Sequence, residues 1–170
     1  HYESYLYCDT LKWVNNEWIN YILPQTYWAQ NHSLAPYERL INWWNQAVSK
    51  KNVNLYAGMG IYMWLTNTNE AYEQLVINDA LEHVKGTSIY SYKQIAAAYN
   101  NTDVSAKEQM NDIKNYVWKN KTILPKIQGF NEVKLGSVQN FLIDGNSISF
   151  DRLDGAKFYI IYKDQNAINY

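Results

Sequence analysis

A glutamine and two large aromatics fall close together in Pro24-Gln25-Thr26-Tyr27-Trp28, directly after the run Trp18-Ile19-Asn20-Tyr21-Ile22-Leu23. The amide offers one hydrogen-bonding fork, and the two rings offer flat apolar faces with polar handles. That chemistry suits a sugar ring better than a phosphate, a metal ion or a nucleic-acid backbone. The preceding run reads as a strand, so the string lies just past a strand's C-terminal end, where barrels and open α/β sheets place ligands. Gln25 either satisfies loop backbone or binds sugar hydroxyls. If the strand continues, Tyr27 and Trp28 point to opposite faces; one stacks on the sugar and the other packs on helices, with Trp28 preferred for stacking. Tyr62 and Trp64, past a later strand, divide evenly between cleft and core.

Cleaving a glycosidic bond usually takes two carboxylates, roughly 5–5.5 Å apart for retention and about 6.5–9.5 Å for inversion. Asp9 is the one acid placed at the end of a predicted strand, and it reads either as a helix N-cap or as a cleft residue. Glu70 is better explained by capping, so the chain offers at most one of the two acids. Other chemistries fail on spacing. Gly58-Met59-Gly60 has Met63 where a dinucleotide loop needs its third glycine, and no phosphate-loop lysine follows. His1, His32, His83 and Cys8 lack metal-ligand spacing, and no Gly-x-Ser-x-Gly is present. No metal and no cofactor is expected.

The composition is that of a globular protein: 47% hydrophobic and 18% charged residues exclude a disordered chain. A net charge of −1 gives no broad electrostatic footprint for nucleic acid or an acidic membrane. Sixteen Tyr and seven Trp against four Phe favour rings with a polar handle, which suits either a large core or a carbohydrate-stacking cleft. With a single cysteine no internal disulfide forms. Asn31-His32-Ser33, Asn100-Asn101-Thr102 and Asn120-Lys121-Thr122 fit the N-glycosylation pattern, which matters only in a eukaryotic secretory protein.

The elements that must position these residues alternate. Tyr5–Cys8, Trp18–Leu23, Val53–Ala57 and Thr87–Tyr90 read as short strands. Asp9 or Thr10 caps a short helix to about Glu17, and Pro36 opens a longer one with Tyr37, Leu40, Ile41, Trp44 and Val48 on one face. A third helix starts from an Asn67/Glu70 capping box, carries Tyr72, Leu75, Val76, Ala80 and Val84 as its apolar stripe, and stops at Gly86. A Ser105/Glu108 box starts another through Met110, Ile113 and Val117. Strand–helix repetition predicts parallel units. Four of them match half of an eight-stranded barrel of roughly 250 residues. After Pro125 the helical period stops. Val138–Ile143, Ser147–Phe150 and Phe158–Tyr162 read as strands, with Asp144-Gly145-Asn146 and Asp154-Gly155 as turns. Residues 1–124 are thus expected to be the C-terminal half of a (β/α)8 TIM barrel. Residues 125–170 are expected to open an all-β sandwich, whose Phe158–Tyr162 string resembles a fibronectin type III strand.

An ordered set of residues, roughly 5–125, also resembles a known family. Tyr7, Asp9 and Trp13 come first, then Trp18-Ile19-x-Tyr21-Ile22 and Pro24-Gln25-x-Tyr27-Trp28. Tyr37, Leu40, Trp43 and Trp44, then Leu55-Tyr56-x-Gly58-x-Gly60-x-Tyr62 and Gly86, follow at matching intervals. These are similar to glycosyl-hydrolase-like family 10, bacterial envelope proteins that include a hydrolase of denuded peptidoglycan glycans. Two positions depart: Asn20 stands where the family usually has Asp, and Glu17 where Gly is common. The resemblance implies a (β/α)8 barrel with strands five to eight here, and four upstream strands bearing the main acids. It implies a fragment of a glycoside hydrolase acting on a cell-envelope glycan such as peptidoglycan, inactive alone, from a secreted or envelope protein of a bacterium. Its partners would be the glycan and the upstream half-barrel, and the isolated fragment is expected to self-associate. The alternative is a non-catalytic carbohydrate-binding or envelope-interaction module.

Overall fold

Within residues 54–60 every second side chain belongs to a core, and this alternation organises the fold. The computed structural model describes residues 2–65, 69–100, 104–120, 122–127, 134–163, 166 and 167. It divides into His1–Gly129 and Phe130–Tyr170. In the first unit, β1 (Tyr21–Ile22), β2 (Asn54–Gly60) and β3 (Val84–Tyr90) form a parallel sheet in sequence order. Ile22, Leu55, Ala57 and Met59 point to a buried face, whereas Tyr21, Leu23, Ser88 and Tyr90 on the opposite face are exposed. The arrangement is mixed α/β with a parallel sheet.

The helices lie on the buried side. They are α1 (Thr10–Asn15), α2 (Tyr37–Val48), α3 (Glu70–Ala80), α4 (Tyr92–Asn100) and α5 (Val104–Asp112). Val14 of α1 and Tyr37, Ile41 and Val48 of α2 pack with Ile22, Val53, Leu55 and Ala57. A second cluster joins Met59, Ile61 and Leu65 to Ala71 and Leu75 of α3, Ala98 of α4 and Met110 of α5. The Pro36 start and the α2 face agree with the sequence pattern, Pro36 itself occupying the cap.

Several expectations are corrected. Tyr5–Cys8 is not a strand: residues 2–6 form one wide helical turn, and Tyr5, Leu6 and Tyr7 are exposed. No strand among the described residues runs beside them, and an extended segment without a neighbour gains no ladder of hydrogen bonds. The helix over 92–100 has no counterpart in the sequence reading. The core face of α3 is Ala71, Gln74, Leu75 and Asn78, with Val76 and Ala80 exposed. Asn67 lies outside the described residues. The start of α3 is satisfied from elsewhere: Gln109 Oε1 of α5 accepts from Ala71 N (3.0 Å) and Tyr72 N (3.3 Å) while its Nε2 donates to Trp64 O (2.8 Å). Ser105 lies inside α5 rather than before it. Gly86 does not end α3, which stops at Ala80; it lies within β3, where an added Cβ would sit 3.3 Å from the Tyr56 ring. There β3 carries one extra residue, since Leu55 pairs with Val84 but Ala57 pairs with Thr87.

In the second unit, β4 (Leu142–Asp144) and β5 (Ser147–Ser149) form an antiparallel hairpin around Gly145, whose φ of +56° suits a residue without a Cβ. β6 (Tyr162–Lys163) pairs antiparallel with β7 (Asn166–Ala167). Asn140 Nδ2 donates to Asp151 Oδ2 (2.7 Å), and Tyr159 stacks at a tilt on Phe150. The expected strands are shorter here than read from sequence, which leaves two separate two-stranded sheets among the described residues.

Candidate functional site

The parallel pairing of β1 with β2 extends past Ile22. Gly58 N donates to Pro24 O (3.0 Å), Thr26 N donates to Gly58 O (2.9 Å), and Gln25 bridges to Gly58. Buried Thr26 adds a side-chain bond, Oγ1 donating to the same Gly58 carbonyl at 2.8 Å. The strand alternation therefore continues through Thr26. Gln25 and Tyr27 lie on the open face, and buried Thr26 on the helix side. Only glycine fits opposite: a Cβ on Gly58 would meet Pro24 O at 2.7 Å, and one on Gly60 would meet the Tyr27 ring at 2.8 Å. The Gly-x-Gly of β2 thus lets the β1 exit lie flat against the next strand.

Tyr27 seated on Gly60 begins a row of rings. Tyr62, in the single turn Ile61–Met63 after β2, meets Tyr27 edge to face at 6.2 Å between centroids. Tyr90, the last residue of β3 and the register partner of Gly60, meets Tyr62 the same way at 6.3 Å. Tyr62 is 50% exposed and Tyr90 61% exposed, so the row is open to solvent across the C-terminal ends of all three strands. Burial holds the Tyr27 phenol above its usual pKa, and the neighbouring Tyr62 and Tyr90 push it the same way. The three phenol hydroxyls can each donate and accept a hydrogen bond.

Each sequence candidate has a definite place. Gln25 is exposed on the row's side of the sheet, and its amide makes no hydrogen bond among the described residues. Tyr27 and Tyr62 join the row. Trp28, 38% exposed, makes no ring contact with the row among the described residues, and its carbonyl accepts from Gln74 Nε2 (3.0 Å). Trp64 packs against the core cluster. Asp9 caps α1, its Oδ1 accepting from Lys12 N at 2.9 Å. Glu70 Oε1 accepts from Gln30 N (2.7 Å) and Gln74 Nε2 (2.8 Å), and Glu73 Oε2 accepts from Gln30 Nε2 (2.6 Å), so both acids tie the loop after Trp28 to α3. Tyr90 was not among the sequence candidates. The signal for it was an aromatic at or just past the end of every parallel strand.

Beneath the row lies a buried polar layer. Tyr37, 0% exposed, donates its hydroxyl proton to Asn78 Oδ1 (2.7 Å), and Asn78 Nδ2 donates to Thr87 Oγ1 (3.1 Å). Burial pushes the Tyr37 phenol up to about 12; its bonds to Asn78 and Thr26 oppose the shift and the Glu70 charge adds to it.

The fold and site define a class: a parallel α/β protein whose strand ends present a row of hydroxyl-bearing rings. Residues 1–75 match the family described as glycosyl hydrolase-like 10. Glycosyl hydrolase YngK of Bacillus subtilis (strain 168) is 35% identical over 97 residues, 53% of this chain and 19% of YngK. Glycosyl hydrolase DigH of Escherichia coli (strain K12) is 33% identical over 96 residues, 49% of this chain and 22% of DigH. Over residues 1–75 the chain is thus similar to the glycosyl hydrolase-like 10 family. The matched stretch spans about a fifth of the length of these curated relatives.

Proposed function

We propose that the Tyr27–Tyr62–Tyr90 row is the sugar-recognition wall of a glycoside hydrolase acting on a bacterial cell-envelope glycan of the peptidoglycan class. The observation that carries this reading is the row itself: three tyrosine rings in edge-to-face succession at the ligand end of a parallel sheet. The apolar face of a pyranose lies on such rings, while the phenols and the Gln25 amide reach its hydroxyls. In this proposal the sheet is the C-terminal half of a (β/α)8 barrel, and its open face is the barrel's inner wall. The upstream half supplies the catalytic carboxylates, because Asp9 is engaged as a cap and Glu70 and Glu73 are engaged by Gln30. The chain alone binds glycan without cleaving it, and its parent protein is secreted or resident in the envelope.

A second reading, a non-catalytic carbohydrate-binding module, draws on the same engagement of the acids. The test is glycan turnover by a chain extended upstream through the remaining strands, beside titration of the present chain with chitotetraose. Binding that is lost in Tyr62→Ala supports the recognition wall. A folded extended chain that binds but releases no reducing ends sinks the enzyme reading and leaves the module.

A further inference from the structure

A second concave surface lies away from the row, on the outer side of α2. A groove of about 470 Å3 runs between the loop before the helix and the helix itself, lined by Leu34, Arg39, Asn42, Trp43 and Gln46. Its volume is within the range of small-ligand sites. Arg39, Asn42, Trp43 and Gln46 follow at i, i+3, i+4 and i+7, so one stripe of α2 forms the floor. Trp43 is 47% exposed, yet its indole is held edge to face by Trp44 at 4.9 Å, and Trp44 packs on the core. A ring fixed in this way loses little freedom when a ligand stacks on it. Asn42 Nδ2 is committed to Glu38 O at 2.9 Å, which fixes the amide and leaves Oδ1 as an acceptor. Neither the Gln46 amide nor the Arg39 guanidinium has a partner among the described residues, and no acid lines the groove.

The geometry points to a separate carbohydrate site here, one that takes an oligosaccharide bearing a carboxylate: Trp43 stacks on a sugar ring, Arg39 binds the carboxylate and the two amides bind hydroxyls. An indole platform beside planar hydrogen-bonding forks is sugar-binding equipment, and the groove's one charge is an unpaired guanidinium, whose planar donors match a carboxylate in a bidentate pair. A protein partner would find a small polar concavity rather than a broad apolar patch.

The test uses the full chain and its indole N–H NMR signals, the Trp43 signal being assigned by its loss in Trp43→Phe. The probes are hyaluronan tetrasaccharide, which carries glucuronate carboxylates, and neutral chitotetraose. The expected result is a Trp43 shift with the acidic probe. Affinity should be roughly tenfold lower for chitotetraose at this signal and for Arg39→Gln with the acidic probe. Tyr27→Ala, which disrupts only the strand-end row, should leave the Trp43 response intact, so failure of the row does not count against the groove. An unmoved Trp43 signal, equal affinity for the two probes at Trp43, or an unchanged response in folded Arg39→Gln would overturn the proposal.

Discussion

Single atoms decide the site at the residue scale. A Cβ at position 60 would collide with the Tyr27 ring at 2.8 Å, so Gly60→Ala should displace that ring. The expected cost is about 1–3 kcal/mol of stability, together with weaker chitotetraose binding. Denaturant unfolding and titration check this, and full affinity in the variant would show that the Gly60–Tyr27 contact does not set the row. Tyr37 gives a pH dependence. Its phenol titrates near 12 in the folded chain, above the unfolded value of about 10. The unfolded chain therefore loses this proton first, and the stabilisation is whole below pH 10 and drains away as pH rises towards 12. Two pKa units correspond to roughly 2–3 kcal/mol. Tyr37→Phe should flatten most of that alkaline decline, with a residue of the same sign from Tyr27; a decline as steep as in the native chain would refute the assignment. That Gln25, Tyr27 and Tyr62 fall at or just past strand ends was legible in the sequence from the apolar runs before them. Which neighbouring ring meets Tyr62 was not, since it depends on whether pairing continues past Pro24, and Thr26 shows that it does.

Among the elements, α2 was readable because its buried residues are apolar and keep the 3.6-residue period. The core face of α3 was not, because Gln74 and Asn78 face inward under hydrogen bonds that no hydrophobicity pattern displays. Its cap was equally hidden, coming from Gln109, 38 residues away in sequence from Ala71. Gln109→Leu should cost about 1–3 kcal/mol, since it removes the acceptor of two helix-start N–H groups and a donor to the Trp64 carbonyl. Thermal unfolding with no loss of stability would argue against that cap. The end of α1 explains one departure from the family pattern. Trp18 N donates to Trp13 O (3.0 Å) and Glu17 N to Val14 O (3.1 Å), the paired bonds of a helix C-terminus closed by a left-handed residue. Glu17 has φ +54°, a conformation that glycine adopts without the cost borne by other residues. Glu17→Gly is expected to raise stability by roughly 0.5–1 kcal/mol, net of its exposed 3.0 Å bond from Asn52. A stability that falls instead would show that the Asn52 bond outweighs the backbone.

For the whole molecule, the helices α1 to α5 of the first unit pack on one side of a parallel sheet, although such sheets normally have both faces covered. Tyr21 and Leu23 stand exposed on the other side, with Tyr21 edge to face with Tyr56 at 5.8 Å. The isolated chain should therefore associate as its concentration rises, and Leu23→Lys should return it towards monomer. Sedimentation equilibrium checks this, a concentration-independent monomer of the native chain being the contrary result. Alternating strands and helices made the parallel sheet legible. The first expected strand was not realised, because its extended state depends on a neighbour that no local pattern supplies. The extra residue of β3 has a consequence for evolution and for engineering. Strand faces have odd–even parity, and the parity of β3 changes between Val84 and Thr87. Deleting Gly86 would turn Tyr90 under the helices and bring Ile89 out in its place with no other change in sequence. Related chains that differ by one residue in length at this point should differ in what their sheet can hold, however alike the residues that follow.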